Sequence, residues 1–202
     1  MNLANKLTVL RMILVPIFVV IGYLGTLGVI TGEWIGIPVA YILMNFIFII
    51  ASITDKLDGY IARSRNQVTT FGKFLDPLAD KILVLTALVM LVEYGKIPAW
   101  IPVIVLAREF LVSGYRLVAV EKGGKVIAAS IWGKLKTVTQ MFALVLALVD
   151  MNAYGAFVQG NLNGFSLILN VVSTILMTIS IIATIFSGWD YMKNGKELLS
   201  NK

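Results

Sequence analysis

The chain contains no cysteine and no histidine. Disulfides, thiolate or imidazole metal sites, cysteine nucleophiles and every serine, histidine and aspartate triad are thereby excluded, and any metal must be held by oxygen. Charge is scarce too: 14% of the 202 residues are Asp, Glu, Lys or Arg, against about 25% in soluble domains. Apolar residues take their place, with 58% in the AVILMFWYC set, and a water-soluble globule is excluded. Met12 to Ile30, Ile35 to Thr54 and Asn163 to Trp189 carry no charge at all, and about 20 such residues cross roughly 30 Å of hydrocarbon as a helix. The opening MNLANKLTVLR resembles the n-region of a signal peptide, but no A-x-A cleavage pattern follows the apolar run. Met12 to Ile30 is therefore expected as a retained helix.

Seventeen Lys and Arg against eleven Asp and Glu give a formal charge of +6, and their placement matters more than the sum. Six membrane helices, at roughly 10–30, 35–60, 71–94, 97–120, 131–150 and 163–189, leave three short loops on one side. Those loops and their flanks hold one basic residue, Lys96, beside Glu33, Glu93 and Asp150. The other basic residues fall on the opposite side or in the helix halves nearest it. The positive-inside rule then puts both termini in the cytosol. A secreted or nucleic-acid-binding role does not account for this asymmetry, so no nucleic-acid partner is expected.

No internal repeat or flexible linker divides the sequence, and residues 1–202 are expected to form one all-α domain, a six-transmembrane-helix bundle. Helices one, two and six have long uncharged stretches, whereas three, four and five carry Asp76, Asp80, Lys81, Arg108, Glu109, Arg116, Lys134 and Lys136 toward the cytosolic side. A carboxylate at the centre of a membrane helix costs about 2.5 to 3.5 kcal/mol, so several facing lipid are untenable. These groups must face protein, metal or water, which predicts a polar cavity open to the cytosol. Gly22, Gly25 and Gly28 are expected to permit close helix contact.

From Asp55 the chain reads DKLDGYIARSRNQVTTFGKFLDPLADK. At 100° per residue, Asp55 and Asp58 lie 60° apart around one helix, and Asp76 and Asp80 lie 40° apart around the next, with Gly72 in the same stripe. A short loop joins the two helices, so the paired carboxylates can converge. Left bare they would repel and take up protons; hard divalent cations make the same cluster favourable, and Mg²⁺ or Mn²⁺ suits an all-oxygen set. Gly59 follows Asp55 by four residues and Ala62 follows Asp58 by four, which removes bulk from the acidic face. Arg63 offers a planar fork for a phosphate or diphosphate, and Thr69 a hydroxyl. Carboxylates, a bare helix face and an arginine together point to a nucleotide diphosphate. A single Asp pair near a membrane surface is usually a solvated helix end; four acids at these spacings, with Gly, Ala and Arg interleaved, are not.

This stretch resembles the signature of the CDP-alcohol phosphatidyltransferases, D-x-x-D-G-x-x-A-R, eight residues, then G-x-x-x-D-x-x-x-D, at every fixed position. Asn5, Thr8 and Arg11 resemble the N-x-x-T-x-x-R opening of the same family. The resemblance implies that Asp55, Asp58 and Asp76 bind a pair of divalent cations, with Asp80 at the second and serving as general base. It also implies that Asn5, Thr8, Gly59, Ala62, Arg63, Thr69 and Gly72 contact a CDP-lipid, CDP-diacylglycerol. It further implies a homodimer in a bacterial cytoplasmic membrane, surrounded by membrane lipid.

The acceptor is read from REFLVSGYR, Arg108 to Arg116, and GKLKT, Gly133 to Thr137. Arg108, Arg116, Lys134 and Lys136 fit either anchoring to anionic lipid or a pocket for a phosphorylated acceptor. Both segments resemble those of the family's bacterial phosphatidylglycerophosphate synthase branch, which implies sn-glycerol 3-phosphate; the phosphatidylinositol-phosphate synthases, whose acceptor is also a phosphate, are the nearest alternative. Glu109 stands between pairing with an arginine and touching substrate. From outside the enzymes, a transporter also places acids and bases within the membrane. Its pathway must reach both faces, and the outer loops offer too little charge for one.

Overall fold

In hydrocarbon an apolar run satisfies its backbone only as a helix or in a closed barrel, and here the runs form helices. The structure is a computed structural model; it describes the backbone of residues 3–64, 70–121 and 130–199, and the side chains of residues 6–54, 78, 79, 81–118 and 130–193. Six α-helices lie among the described residues: α1 Leu3–Thr26, α2 Val39–Ser64, α3 Thr70–Glu93, α4 Trp100–Glu121, α5 Ile131–Val149 and α6 Gly164–Leu199. A two-strand hairpin, β1 Glu33–Trp34 and β2 Ile37–Pro38, precedes α2, and a short 3₁₀ turn, Ala156–Gln159, precedes α6.

Three stretches are long and apolar enough to cross a membrane among the described residues: Lys6–Thr26, Ile131–Val149 and Gly164–Lys193, with Val39–Thr54 a shorter apolar segment. On α6 the usual distribution of polarity is reversed. Ile168, Ile175, Ile182 and Trp189, spaced by seven, are exposed, whereas Asn170, Ser173, Thr174, Ser180, Thr184 and Ser187 are buried. Such a face suits hydrocarbon surroundings rather than water. The chain is an all-α membrane protein.

The chain divides into two compact units, Met1–Lys96 with Ala147–Met151, and Ile97–Leu146 with Asn152–Lys202. In the first, α1 packs on α2 and α3, and α2 on α3. Two glycines set the closeness of that packing. A Cβ on Gly25 would collide with Ala40 of α2, and one on Gly22 would collide with Tyr94 and come within 2.7 Å of Met90 Cε. Gly28, expected to serve the same end, instead turns the chain at φ 70° with nothing near it. At the same level Tyr41, at the start of α2, meets Tyr94, just past α3, with ring centroids 5.0 Å apart, and the Tyr94 hydroxyl donates to Met44 Sδ at 3.6 Å. The start of α2 therefore lies beside the end of α3, and the two helices run antiparallel.

Lys96 is buried beside this aromatic pair. Its ammonium lies 4.0 Å from the Tyr41 ring centroid and donates to the carbonyls of Leu148 at 3.0 Å and Ala147 at 3.4 Å. A cation is thus placed on carbonyls in the last turn of α5, where such charge is favoured. Burial pulls the lysine pKa down from 10.5 to about 8, and the Asp150 carboxylate opposes that pull.

In the second unit α4 packs on α6. The segment before α6 is fastened to that helix: Asn170 accepts from the Phe157 amide at 2.9 Å and donates to the Ala153 carbonyl at 3.0 Å, while the hydroxyls of Tyr154 and Thr178 lie 2.7 Å apart.

The observed helix limits depart from the expected ones in instructive places. α1 begins near residue 3 rather than 10, because Asn5, Thr8 and Arg11 continue the helix, and it ends at Thr26, before the positive-φ glycines Gly28 and Gly32. α2 begins at Val39 rather than 35, because Ile35 and Gly36 form the two-residue turn of the hairpin with φ 56° and 73°. Positive φ at both central positions is the signature of the tight turns that suit strand twist. α6 continues ten residues beyond its expected end at 189.

Candidate functional site

Asp55, Asp58, Gly59, Ala62 and Arg63 all fall in the last turns of α2, and Gly72, Asp76 and Asp80 in the first turns of α3. Their side chains, and that of Asn5, lie outside the described residues, as does Thr69 altogether. The backbone still fixes their levels. Tyr41 and Tyr94 mark one end of the helix pair; Asp55 is fourteen residues beyond Tyr41, and Asp80 fourteen before Tyr94. At 1.5 Å per residue both stand about 21 Å from the aromatic pair. Asp58 and Asp76, seventeen and eighteen residues away, both stand about 26 Å from it. The two acidic pairs therefore share a level on adjacent antiparallel helices. An all-oxygen donor set at one level on packed helices fits hard divalent cations. Among the described residues no three acidic, histidine or cysteine groups come together.

On α1, Thr8 and Arg11, one turn apart, are buried with 1% and 0% of their surface exposed. A buried guanidinium must have partners, and Arg11 has them. This residue was read only as part of the opening motif; its complete burial marks it as a structural anchor for the face that carries Thr8.

The cationic residues in the second unit form a connected network. Arg108 Nη1 donates to Glu109 Oε1 at 2.9 Å, and the same oxygen accepts from Lys136 Nζ of α5. Arg108 Nη2 donates to Ser187 Oγ of α6 at 2.6 Å. Arg116 Nη2 donates to the Tyr191 hydroxyl at 3.0 Å, and the guanidinium carbons of Arg108 and Arg116 lie 5.9 and 5.8 Å from the Tyr191 ring centroid, within cation–π range. Two glycines lie beside Arg108. A Cβ on Gly133 would stand 3.4 Å from its Nη2, and one on Gly188 would stand 3.6 Å from its Cγ.

Arg108, Arg116 and Lys136 are thus brought together through Glu109 and Tyr191. Lys134 is exposed and precedes Lys136 by two residues, about 200° around the helix, so the two lysines face opposite ways. Glu109 takes the arginine-pairing role. Tyr191 is the residue of this network that no sequence motif singles out. Only 2% of it is exposed. The available signal was its spacing of four from Ser187, which sets two hydroxyls on one face of α6.

The CDP-alcohol phosphatidyltransferase family matches residues 1–186, and the chain belongs to that family. It is 42% identical over 202 residues to a Bacillus subtilis (strain 168) protein named CDP-diacylglycerol--glycerol-3-phosphate 3-phosphatidyltransferase, covering 98% of this chain and 97% of that protein. Proteins of the same name from Haemophilus influenzae (38% identical, 99% and 97% covered) and Rickettsia bellii (36% identical, 97% and 96% covered) are similar to it as well.

Proposed function

We propose that this chain transfers the phosphatidyl group of CDP-diacylglycerol to sn-glycerol 3-phosphate, giving phosphatidylglycerophosphate and CMP in phospholipid biosynthesis. The observation that carries this reading is the near-full-length similarity to relatives named for that reaction. The level pairing of Asp55 with Asp80 and of Asp58 with Asp76 supports it.

Asp55, Asp58, Asp76 and Asp80 hold two divalent cations, Mg²⁺ or Mn²⁺. When bound, these supply positive charge to offset that of the diphosphate and of the departing CMP. Asp80 takes the proton from the acceptor hydroxyl as general base. The acceptor oxygen forms a bond to the phosphorus that carries the diacylglycerol, and the bond from that phosphorus to the CMP oxygen breaks. Gly59 and Ala62 leave the α2 backbone open to the nucleotide, Arg63 and Thr69 bind its diphosphate, and Asn5, Thr8 and Gly72 complete the CDP-lipid contacts. Arg108, Arg116, Lys134 and Lys136 attract the acceptor phosphate; Arg108 and Lys136 are held by Glu109, and Lys134 acts from the exposed face of α5.

All 202 residues act as one domain of a six-span homodimer. Both termini and a polar cavity face the cytosol, in the cytoplasmic membrane of a bacterium. A phosphorylated inositol acceptor would use the same cations. CMP release from CDP-diacylglycerol by purified protein, compared across glycerol 3-phosphate, inositol phosphate, free inositol and serine, tests the reading. It predicts release with glycerol 3-phosphate alone.

A further inference from the structure

The family match ends at residue 186, one position before α6 places two hydroxyls against the arginines of α4. Ser187 and Tyr191 are completely or almost completely buried, at 0% and 2% exposure. They lie one turn apart, and each hydroxyl accepts from a different guanidinium, Arg108 at 2.6 Å and Arg116 at 3.0 Å. Residue numbers rise together along both helices, 108 with 187 and 116 with 191, so α4 and α6 run in the same direction and the contacts repeat along one seam. The Tyr191 ring lies within cation–π range of both guanidiniums, and Gly133 and Gly188 put no side chain in the way of Arg108.

Burying a serine and a tyrosine hydroxyl against cations is a specific arrangement. A helix whose only task was to cross hydrocarbon would have no use for it, and α6 is long enough to do both. Its 36 residues span about 54 Å, well beyond the roughly 30 Å of a bilayer core. The last turns are therefore free for another role.

We propose that Ser187 and Tyr191 are positioning residues that hold the Arg108 and Arg116 guanidiniums in the orientation that receives the acceptor's phosphate. This makes the end of α6 a determinant of acceptor affinity, and it rests on the reading of those arginines as phosphate ligands. Each hydroxyl fixes one edge of a planar fork, so other donors are left to the phosphate oxygens. Losing a hydrogen bond to a charged group weakens an interaction by about 1.5 to 3 kcal/mol, roughly a tenfold to hundredfold change in affinity.

The test is steady-state kinetics of full-length protein in detergent, with CDP-diacylglycerol and glycerol 3-phosphate varied separately, for Ser187→Ala, Ser187→Thr, Tyr191→Phe and Arg108→Ala. Expected is a rise of about tenfold in the glycerol 3-phosphate KM for Ser187→Ala and Tyr191→Phe. The kcat and the KM for CDP-diacylglycerol stay within about twofold, because only ground-state acceptor binding is touched, and Ser187→Thr, which keeps the hydroxyl, stays close to the wild type. An unchanged acceptor KM in both hydroxyl variants, with a raised one in Arg108→Ala, overturns the positioning role and leaves the acceptor pocket standing. An unchanged acceptor KM in Arg108→Ala overturns the pocket and the positioning role together. A joint loss of kcat and both KM values with a lowered unfolding midpoint marks a structural defect and overturns the positioning role; thermal stabilisation by glycerol 3-phosphate without CDP-lipid supplies a reading that needs no turnover.

Discussion

Tyr41 and Tyr94 meet with ring centroids 5.0 Å apart, and this one contact aligns α2 against α3. Because the helices are antiparallel and have the same rise, equal steps from the two tyrosines reach equal levels. Asp55 and Asp80 are such a pair. The signature acids on separate helices thus belong to one level by the packing of residues that carry no chemistry.

The first prediction concerns the division of labour among those acids. On the proposed mechanism Asp80→Asn removes the general base, and it is expected to lower kcat by about 10² to 10⁴-fold, with CDP-diacylglycerol binding largely retained by calorimetry. Asp55→Asn and Asp58→Asn are expected to weaken Mn²⁺ binding, read by electron paramagnetic resonance. Turnover like that of the wild type in Asp80→Asn would remove it as the base.

Glu109 joins Arg108 and Lys136 on one oxygen, with Lys136 8% and Glu109 20% exposed at their side chains. Removing one partner of a largely buried pair leaves a charge with reduced compensation, at a cost of about 3 kcal/mol. Glu109→Ala should lower the unfolding midpoint in detergent, and adding Lys136→Met should restore part of the loss. Equal midpoints for the wild type and Glu109→Ala would show that the pair adds no stability.

Lys96 makes stability depend on pH with a definite sign. Its pKa falls from 10.5 to about 8 on folding. Below pH 8 folded and unfolded chains both hold the proton. Between about 8 and 10.5 the unfolded chain holds a proton that the folded chain has released, so stability rises with pH across that window and gains nothing further above it. The neutral amine still donates to the Leu148 and Ala147 carbonyls. Thermal unfolding of the wild type and Lys96→Met from pH 7.5 to 10.5 should show this rise in the wild type only; parallel profiles would rule out the titration.

Ile35 sits at φ 56° in the hairpin turn, a conformation that costs an L-residue about 1 to 2 kcal/mol and suits asparagine or glycine. Ile35→Asn is expected to stabilise the protein by about 1 kcal/mol, a rise of a few degrees in unfolding midpoint. A lower midpoint would mean that the exposed isoleucine side chain has partners in the membrane.

Much of this was legible in the sequence, and the failures have physical causes. Helices α1, α2 and α6 are plain because uncharged stretches of membrane length have few alternatives. Their ends were harder to place. Ile35 and Gly36 continue the apolar run into α2 without a break in composition, so the hairpin left no compositional mark. Gly28 looked like Gly22 and Gly25, since a glycine that turns the chain and one that admits a neighbour are the same letter. The acidic pairs were readable from spacing, but their common level depends on Tyr41 and Tyr94, which no motif singles out. Tyr191 gives no motif signal in sequence, because an aromatic residue near lysines looks alike whether it faces lipid headgroups or an arginine.

The most direct measurement is product analysis. Purified protein is incubated with CDP-diacylglycerol, glycerol 3-phosphate and Mg²⁺ or Mn²⁺, and lipid and nucleotide products are quantified together by mass spectrometry. The account predicts phosphatidylglycerophosphate and CMP in equal amounts, dependent on both acceptor and cation. CMP accompanied by phosphatidic acid, independent of glycerol 3-phosphate, would contradict it by showing hydrolysis in place of transfer.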